Sequence, residues 1–445
     1  MCHHNWWGVG ALPAASRVAG RWIAVIGGGV SGLTAAYLLA QAGEQVTLFE
    51  ADDRLGGHAD THLVAAEGGH QYPVDTGFIV YNDRTYPQLT RLFAELGVSG
   101  QDSEMSMSVQ CAGCGLQYAG QRGAAGILAG ARRGGPRYAR MLTEVPRFHA
   151  RARDLLGASG HDDARTLGQF LEEHGFSPYF RTHFALPLVA AVWSCPPGAA
   201  LQYPARYLFT FLRNHGMLSI TGSPVWRTVA GGSRSYVERI GKQIPAVRTS
   251  VPAVAVHRFP DGAVVRDGNG DLTAFDAVVI ATHADQALRL LAQPTPAERR
   301  VLGAFRYTPN PALLHTDDRL LPARGVRASW NYQLSGCPFG RRRADPGPAA
   351  RTRISYHLNR LQRLTAAEDY IVTLGGEDAV DPARVIDRMD YSHPAYTLES
   401  LAAQRELPGL NSAVTVFAGA YHGWGFHEDG CRSGADAARA LGVSW

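Results

Sequence analysis

The sequence predicts an α/β fold in which two domains are built from alternating segments of one chain. Three observations carry this. A strand, a glycine turn, a helix, a second strand and an acid follow one another between residues 22 and 50. A buried-strand pattern, Phe275–Ala281 (Phe-Asp-Ala-Val-Val-Ile-Ala), recurs far downstream. A third apolar run with a glycine, Phe417-Ala418-Gly419-Ala420-Tyr421, precedes a last helix opened by Gly430.

The first element is the apolar run Trp22–Ile26, followed by Gly27-Gly28-Gly29-Val30-Ser31-Gly32 and the helix-forming stretch 33–42. This is a dinucleotide-binding pattern. Gly27 serves the tight turn and Gly29 the close approach of backbone to a pyrophosphate. Gly32 lets the helix pack closely, and the free N–H groups with Val30 and Ser31 face the phosphates. The run Gln45–Phe49 then ends in Glu50, 18 residues past Gly32, placed to accept hydrogen bonds from ribose hydroxyls. The pattern predicts a Rossmann-like domain but does not separate NAD from FAD.

Composition narrows the class. The 445 residues suffice for two domains; 45% are apolar and 18% charged, as in ordinary globular proteins. A net charge of +4 is small for this length and argues against nucleic acid as a partner. Lys242 is the only lysine. Six scattered cysteines suit a reducing, cytoplasmic setting, and no apolar stretch reaches the ~18 residues that span a bilayer. Residues 1–20 read as a poorly ordered extension, with neither the basic start nor the apolar core of a signal peptide.

Further motifs single out the cofactor. After Glu50 come Ala51, Arg54, Gly56, Gly57, His58 and Thr61, in the pattern R-x-G-G-x-x-x-T, and later Asp75-Thr76-Gly77. Trp226-Arg227-Thr228-Val229-Ala230-Gly231-Gly232-Ser233 and Val251-Pro252-Ala253-Val254 stand in mid-chain. Together with the terminal segment these resemble the FAD-binding amine oxidase and phytoene desaturase superfamily. The resemblance implies FAD, with Gly27, Gly29, Val30, Ser31, Gly32, Glu50, Ala51, Arg54, Gly56, Gly57, His58, Thr76, Gly77, Ala253, Gly419, Phe426, Asp429 and Gly430 around it. The implied FAD domain is 21–95, 225–290 and 410–445, and the substrate domain is 96–224 and 291–409.

A narrower resemblance rests on Ala418–Gly434, Tyr72–Asn82, Trp193-Ser194, Asn214-His215-Gly216, Ser329–Tyr332 and Asn359–Gln362. These look like the FAD-binding oxidoreductases associated with cyclopropane fatty-acid synthases. That likeness implies an apolar fatty-acyl or phospholipid substrate, hydride transfer at a C–C bond, and a lipid methyltransferase as partner. Two alternatives stay open: a flavin oxidase of an amine or secondary metabolite, and a non-catalytic flavin-bound partner that delivers lipid.

Departures from the wider pattern matter. His58 replaces an arginine near the phosphates, and Ala420 replaces a glutamate that holds ribityl hydroxyls, leaving Asp429 or Glu428 as substitutes. Lys242 reads as peripheral, so the lysine many amine oxidases place at the flavin is missing, and amine oxidation is the weaker expectation. His427, Tyr421 and His215 are the catalytic candidates, with His422 as a further polar group. Trp193, Trp226, Trp330 and Trp424 are candidates to wall the substrate channel.

Two features point elsewhere. The arginine-rich helical region 120–175 reads either as a solvated face or as a contact with anionic lipid at a membrane surface, its interleaved Leu128, Tyr138, Met141, Leu142, Val145 and Phe148 equally suiting a helix packed on its own domain. Cys111-Ala112-Gly113-Cys114 is a single C-x-x-C without a second pair at ribbon spacing. It reads as incidental surface cysteines, with no metal.

Overall fold

The computed structural model describes residues 20–120, 123–158, 163–219, 222–339 and 352–445. The N-terminal extension up to residue 19 and most of the arginine-rich stretch 339–352, which the sequence reads as a mobile surface loop, lie outside them. The nucleotide-binding pattern forms β1 (Trp22–Ile26), α1 (Val30–Gln41) and β2 (Gln45–Phe49). Three later strands, β3 (Ala246–Arg248), β4 (Ala277–Ile280) and β5 (Thr415–Phe417), complete a sheet in the order β3-β2-β1-β4-β5, parallel at every pairing. Ile23–Ile26 of β1 and all of β4, built from Ile, Val and Ala, are buried on both faces as a parallel sheet requires.

Small residues let the ends of the chain meet. The C-terminal helix α2 (His427–Ala440) lies against α1. A methyl group on Gly434 would collide with the Ser31 carbonyl, and one on Gly430 would overlap Val30. The Ser433 hydroxyl accepts the Gly419 N–H at 2.9 Å, joining α2 to the end of β5.

A seven-stranded sheet forms the second layer: Val385–Ala395, Arg306–His315, Ile371–Leu374, Thr352–His357, Trp330–Leu334, Met107–Cys111 and Gln117–Ala119, in that order. Helices between residues 123 and 214 pack on its far end around Phe148, Phe170, Phe180 and Phe209, all nearly fully buried.

The helix Gly123–Gly157 is broken at Gly135, which has φ 53°, just before Pro136. Of its interleaved apolar residues, Tyr138, Met141 and Phe148 are buried in the domain's own core and Leu142 and Val145 pack against it, while Leu128 is 65% exposed. Several of its arginines are held locally. Arg147 lies over the Phe176 ring at 4.6 Å, and Arg153 donates to the Leu218 carbonyl at 2.8 Å. The apolar face of this helix is thus largely covered by its own domain, while most of its arginines stay exposed. No helix among the described residues is long and apolar enough to cross a membrane.

The cysteine expectation is corrected. Cys111 is buried at the end of its strand, and Cys114 lies beside the buried His183 and Cys337. The sequence hid this because Cys337 and His183 stand far from the C-x-x-C pair along the chain.

Candidate functional site

A cavity of about 1140 Å³ runs from the glycine turn to the helical part of the second layer. At one end, Gly27 takes φ 104°, closed to ordinary residues, and its N–H donates to the Phe49 carbonyl at 2.8 Å. Gly29 precedes α1, which has no side-chain cap and no acid in its first turn. Its leading N–H groups therefore lack side-chain partners. A methyl group on Gly29 would meet nothing within 4 Å, so it faces open space, whereas one on Gly32 would strike the Gly27 carbonyl oxygen. Gly32 thus serves the helix–strand contact and does not line the cavity.

The acid after β2 is pre-positioned. Glu50 accepts the Gly28 N–H at 2.6 Å and the Asp52 N–H at 2.9 Å. The R-x-G-G segment folds back on the glycine turn, with the Gly56 N–H donating to the Gly28 carbonyl at 2.9 Å. Arg54 donates to the Gly57 carbonyl and pairs with Asp60 at 3.0 Å, bracing its own loop. Burial pushes the Asp60 carboxyl up, but hydrogen bonding from His62 and the Arg54 charge outweigh it and hold the group below its usual range.

Asp75 binds three segments together. It accepts from the Thr61 hydroxyl at 2.5 Å, the Ser233 N–H at 2.9 Å and the Gln362 amide at 3.0 Å. The threonine of the first motif and the serine of the mid-chain glycine segment therefore share one buried carboxylate. Burial raises that carboxyl to about 6 despite these donors.

The expected residues Gly27, Gly29, Val30, Ser31, Glu50, Ala51, Arg54, Gly56, Gly57, His58, Thr76, Gly77, Ala253, Gly419, Tyr421, Phe426 and His427 all line the cavity. So do Trp193, Trp226, Trp330 and Trp424. Besides Gly32, four expectations are corrected. His215 does not line the cavity; its Nδ1 donates to the Phe211 carbonyl at 3.0 Å, and its ring stacks on Phe211. Asp429 does not either; it accepts the Phe426 N–H at 3.1 Å and pairs with Arg432, closing the first turn of α2. Glu428 accepts the Gln88 and Leu89 N–H groups, capping the helix Pro87–Glu95. Acids so close to a helix start are drawn to free N–H groups. Gly430 acts through the α1–α2 contact.

His427 stacks on Phe78 at 3.7 Å and meets the Tyr236 hydroxyl at 3.2 Å. Burial alone pushes it down to about 3, so the ring is neutral. Lys242 is exposed just past the helix Arg234–Gly241 and lines no part of the cavity.

The sequence did not single out His283 and His393. With His58 they form a cluster, ring centroids 5.3 and 6.3 Å from His58 to His393 and His283, and Tyr391 stacks on His58 at 4.8 Å. Burial holds all three toward the neutral form; repulsion from neighbouring histidines adds to this at His58 and His393, and the Arg289 charge does so at His283 against the pull of Asp285. His283 directly follows the end of β4, where open α/β sheets gather ligand-binding residues, and that position was the available signal.

These residues fit FAD. His58 Nε2, the Tyr421 hydroxyl and Trp424 Nε1 line the cavity as buried polar atoms without a protein partner. Buried polar atoms are rarely left so, and a ligand with phosphate, hydroxyl and carbonyl groups would satisfy them.

Comparison with known proteins follows the same line. Residues 30–442 match the model of a family described as flavin containing amine oxidoreductase. The chain is 27% identical over 406 residues to coproporphyrinogen III oxidase of Mycobacterium bovis, covering 81% of this chain and 84% of that protein. Its match to the Mycobacterium leprae protein of the same name is 28% over 303 residues and spans only 63% of that relative's length, and 63% of this chain. Cyclohexylamine oxidase from Brevibacterium oxydans superposes with a TM-score of 0.66 at 18% identity, over 95% of this chain and 98% of that one. A CLA-producing fatty acid isomerase from P. acnes does so with 0.64 at 15% identity, over 94% and 97%. At those identities the likeness is one of fold.

Proposed function

As a member of the flavin-containing amine oxidoreductase family, this chain is an FAD-dependent oxidoreductase, and we propose that it acts on an apolar substrate, a fatty-acyl or phospholipid chain, at a C–C bond. One observation carries the choice of substrate. The charged side chains of the cavity lining, Glu50, Asp52, Arg54, Asp60, Arg289, Asp387, Arg388 and Asp390, come from the nucleotide-binding segments, the helix Ala284–Leu290 and the strand Val385–Ala395. The lining is uncharged at Ile79, Val80, Met105, residues 191–194, Phe211, Met217, Trp226, Trp330, Tyr356 and residues 424–427, where the one histidine is neutral. An apolar chain loses nothing on entering such a wall, whereas a cation would be desolvated without a counter-ion.

The residues that would hold FAD are the N-terminus of α1 with Gly29 for the pyrophosphate, Glu50 for the ribose, and His58, Gly419, Tyr421 and Phe426 along the rest of the cavity. When bound, FAD supplies two-electron redox chemistry. The chain's own work is to orient and to exclude water. Trp193, held by its indole N–H on the Trp424 carbonyl at 3.2 Å, packs on Phe211 at 4.7 Å and fixes one side of the wall. His427 is kept neutral and immobile against Phe78, so its hydrogen bond to Tyr236 is one of position. A lipid methyltransferase partner, as the narrower motif likeness implies, belongs to the same proposal.

Anaerobic mixing with acyl chains, phospholipids and small amines tests it. Bleaching of the flavin absorption by acyl substrates supports the reading; bleaching by amines with no response to lipid replaces it. A specific feature favours that second reading: Trp193, Phe211, Trp424 and Phe426 present aromatic faces that also suit a cation.

A further inference from the structure

We propose that Cys111, Cys114, His183 and Cys337 form a structural metal site for zinc, outside the flavin cavity, that fixes one wall of the substrate site. Their four donor atoms all lie within 4.8 Å of one another. Zinc with thiolate bonds near 2.3 Å and an imidazole bond near 2.0–2.1 Å in a tetrahedron places sulfur and nitrogen donors about 3.5 Å apart. The Cys114 Sγ to His183 Nε2 distance is 3.5 Å.

Each donor is delivered by a different piece of rigid structure. Cys111 ends the strand Met107–Cys111, and Cys114 sits in the turn to Gln117–Ala119. The turn is closed by the Gly115 N–H on the Cys111 carbonyl at 2.8 Å and by the Cys111 N–H on the Leu116 carbonyl at 2.9 Å. Gly115 takes φ 75° there, and at Gly113 a side chain would stand 2.7 Å from the Cys337 nitrogen. The strand Trp330–Leu334 runs parallel beside Met107–Cys111 with Leu334 opposite Cys111, and so brings Cys337 to the same end of the sheet.

His183 comes from the helical layer, within the π-turn Arg181–Ala185, a geometry that often marks functional positions. Its Nδ1 donates to the Tyr179 carbonyl at 3.1 Å, its ring stacks on Tyr179 at 4.1 Å, and its own carbonyl accepts the Tyr118 hydroxyl at 2.7 Å. Holding one ring nitrogen in this way turns the other outward as a ligand, the usual support for a metal-bound histidine. His183 is fully buried, with Cys111 and Cys337 at 1% and 8% exposure. Three soft sulfur donors and one nitrogen exclude magnesium and calcium, and four protein ligands leave no open position for catalysis. Two residues past the π-turn the chain is in the helix Leu186–Trp193, whose last turn supplies Ala191, Val192 and Trp193 to the cavity. The metal therefore pins the base of the helix that walls the substrate.

The full-length flavin-loaded protein is the material for the test. Elemental analysis of protein purified under reducing conditions is expected to find about one zinc per chain. Exchange for cobalt is expected to give tetrahedral visible bands at wavelengths longer than flavin absorption. Cys114→Ser and Cys337→Ser should lower metal affinity roughly tenfold or more, while Cys195→Ser, outside the cluster, should leave the zinc content unchanged. Titrating the wild-type thiols with a mercurial should release zinc in step with cysteine modification, a readout that survives misfolding of either variant. Protein that contains no zinc, takes up none on addition, and shows a disulfide among these cysteines would overturn the proposal. So would cobalt bands that persist unchanged in both serine variants.

Discussion

The Glu50 carboxylate is anchored by the Gly28 amide at 2.6 Å, so the acid after the second strand and the glycine turn after the first are one unit. Truncating Glu50 would remove this brace together with the ribose contacts proposed for it. Glu50→Ala should weaken FAD binding by about 1.5–3 kcal/mol, the range for hydrogen bonds to a charged group. Fluorescence titration of the apoprotein measures it, and unchanged affinity would show that the ribose is held elsewhere.

Gly29 and Gly32 differ in what a methyl group meets, open space or the Gly27 carbonyl. Gly29→Ala should therefore fold normally and purify colourless. Gly32→Ala should lose stability by 1–3 kcal/mol through overpacking, with or without flavin. Thermal melts beside flavin content separate the two; equal melting loss in both variants refutes the distinction.

His427 is half-buried at the cavity wall and pushed down to about 3 by loss of solvent, so it does not change charge between pH 5 and 8. His427→Gln should alter rate without altering the shape of the pH profile. A limb near pH 6–7 that disappears in the variant would contradict the neutral assignment.

Three carboxyls are raised by burial: Asp75 and Asp429 to about 6, and Glu428 to about 7, the last helped upward by Asp429. Each binds its proton more tightly folded than unfolded. Their stabilising contribution is complete below their ordinary range near pH 4 and is lost as pH rises through 6 to 7. The buried histidines, held toward the neutral form, act in the opposite sense over this interval, so the readout is a difference: the melting temperature of Glu428→Gln relative to wild type should rise from pH 5 to pH 8. A difference between the two proteins that stays constant across the interval contradicts it.

Ala191 is buried in the helix that walls the cavity. Ala191→Phe should raise KM for a long acyl substrate roughly tenfold, the effect of ~1.4 kcal/mol, with an unaltered flavin spectrum. Steady-state kinetics across chain lengths would reveal it, and a uniform loss at every length would place the obstruction at the ring instead.

The sheet and its cofactor end were legible because each glycine there answers a local geometric demand. Gly27 needs a positive φ, Gly29 must leave space, Gly32 and Gly430 permit close packing, and such needs are written at fixed spacing. The four tryptophans could be named as wall candidates, although the sequence did not say which way they faced. What escaped was long-range convergence. Asp429 and Glu428 read as ligand contacts, yet nearby helix starts claimed both. His283 and His393 meet His58 only through a strand and a helix cap far from it, and Cys337 reaches Cys111 only because two strands run side by side.

The meeting of α1 with α2 has a consequence for biosynthesis. The pocket's last wall, Gly419 through His427, leaves the ribosome long after the glycine turn and Glu50, so a growing chain at first holds an incomplete half-socket. Prosthetic-group loading is thereby a late event, and nascent chains halted before residue 415 should remain colourless however long they wait.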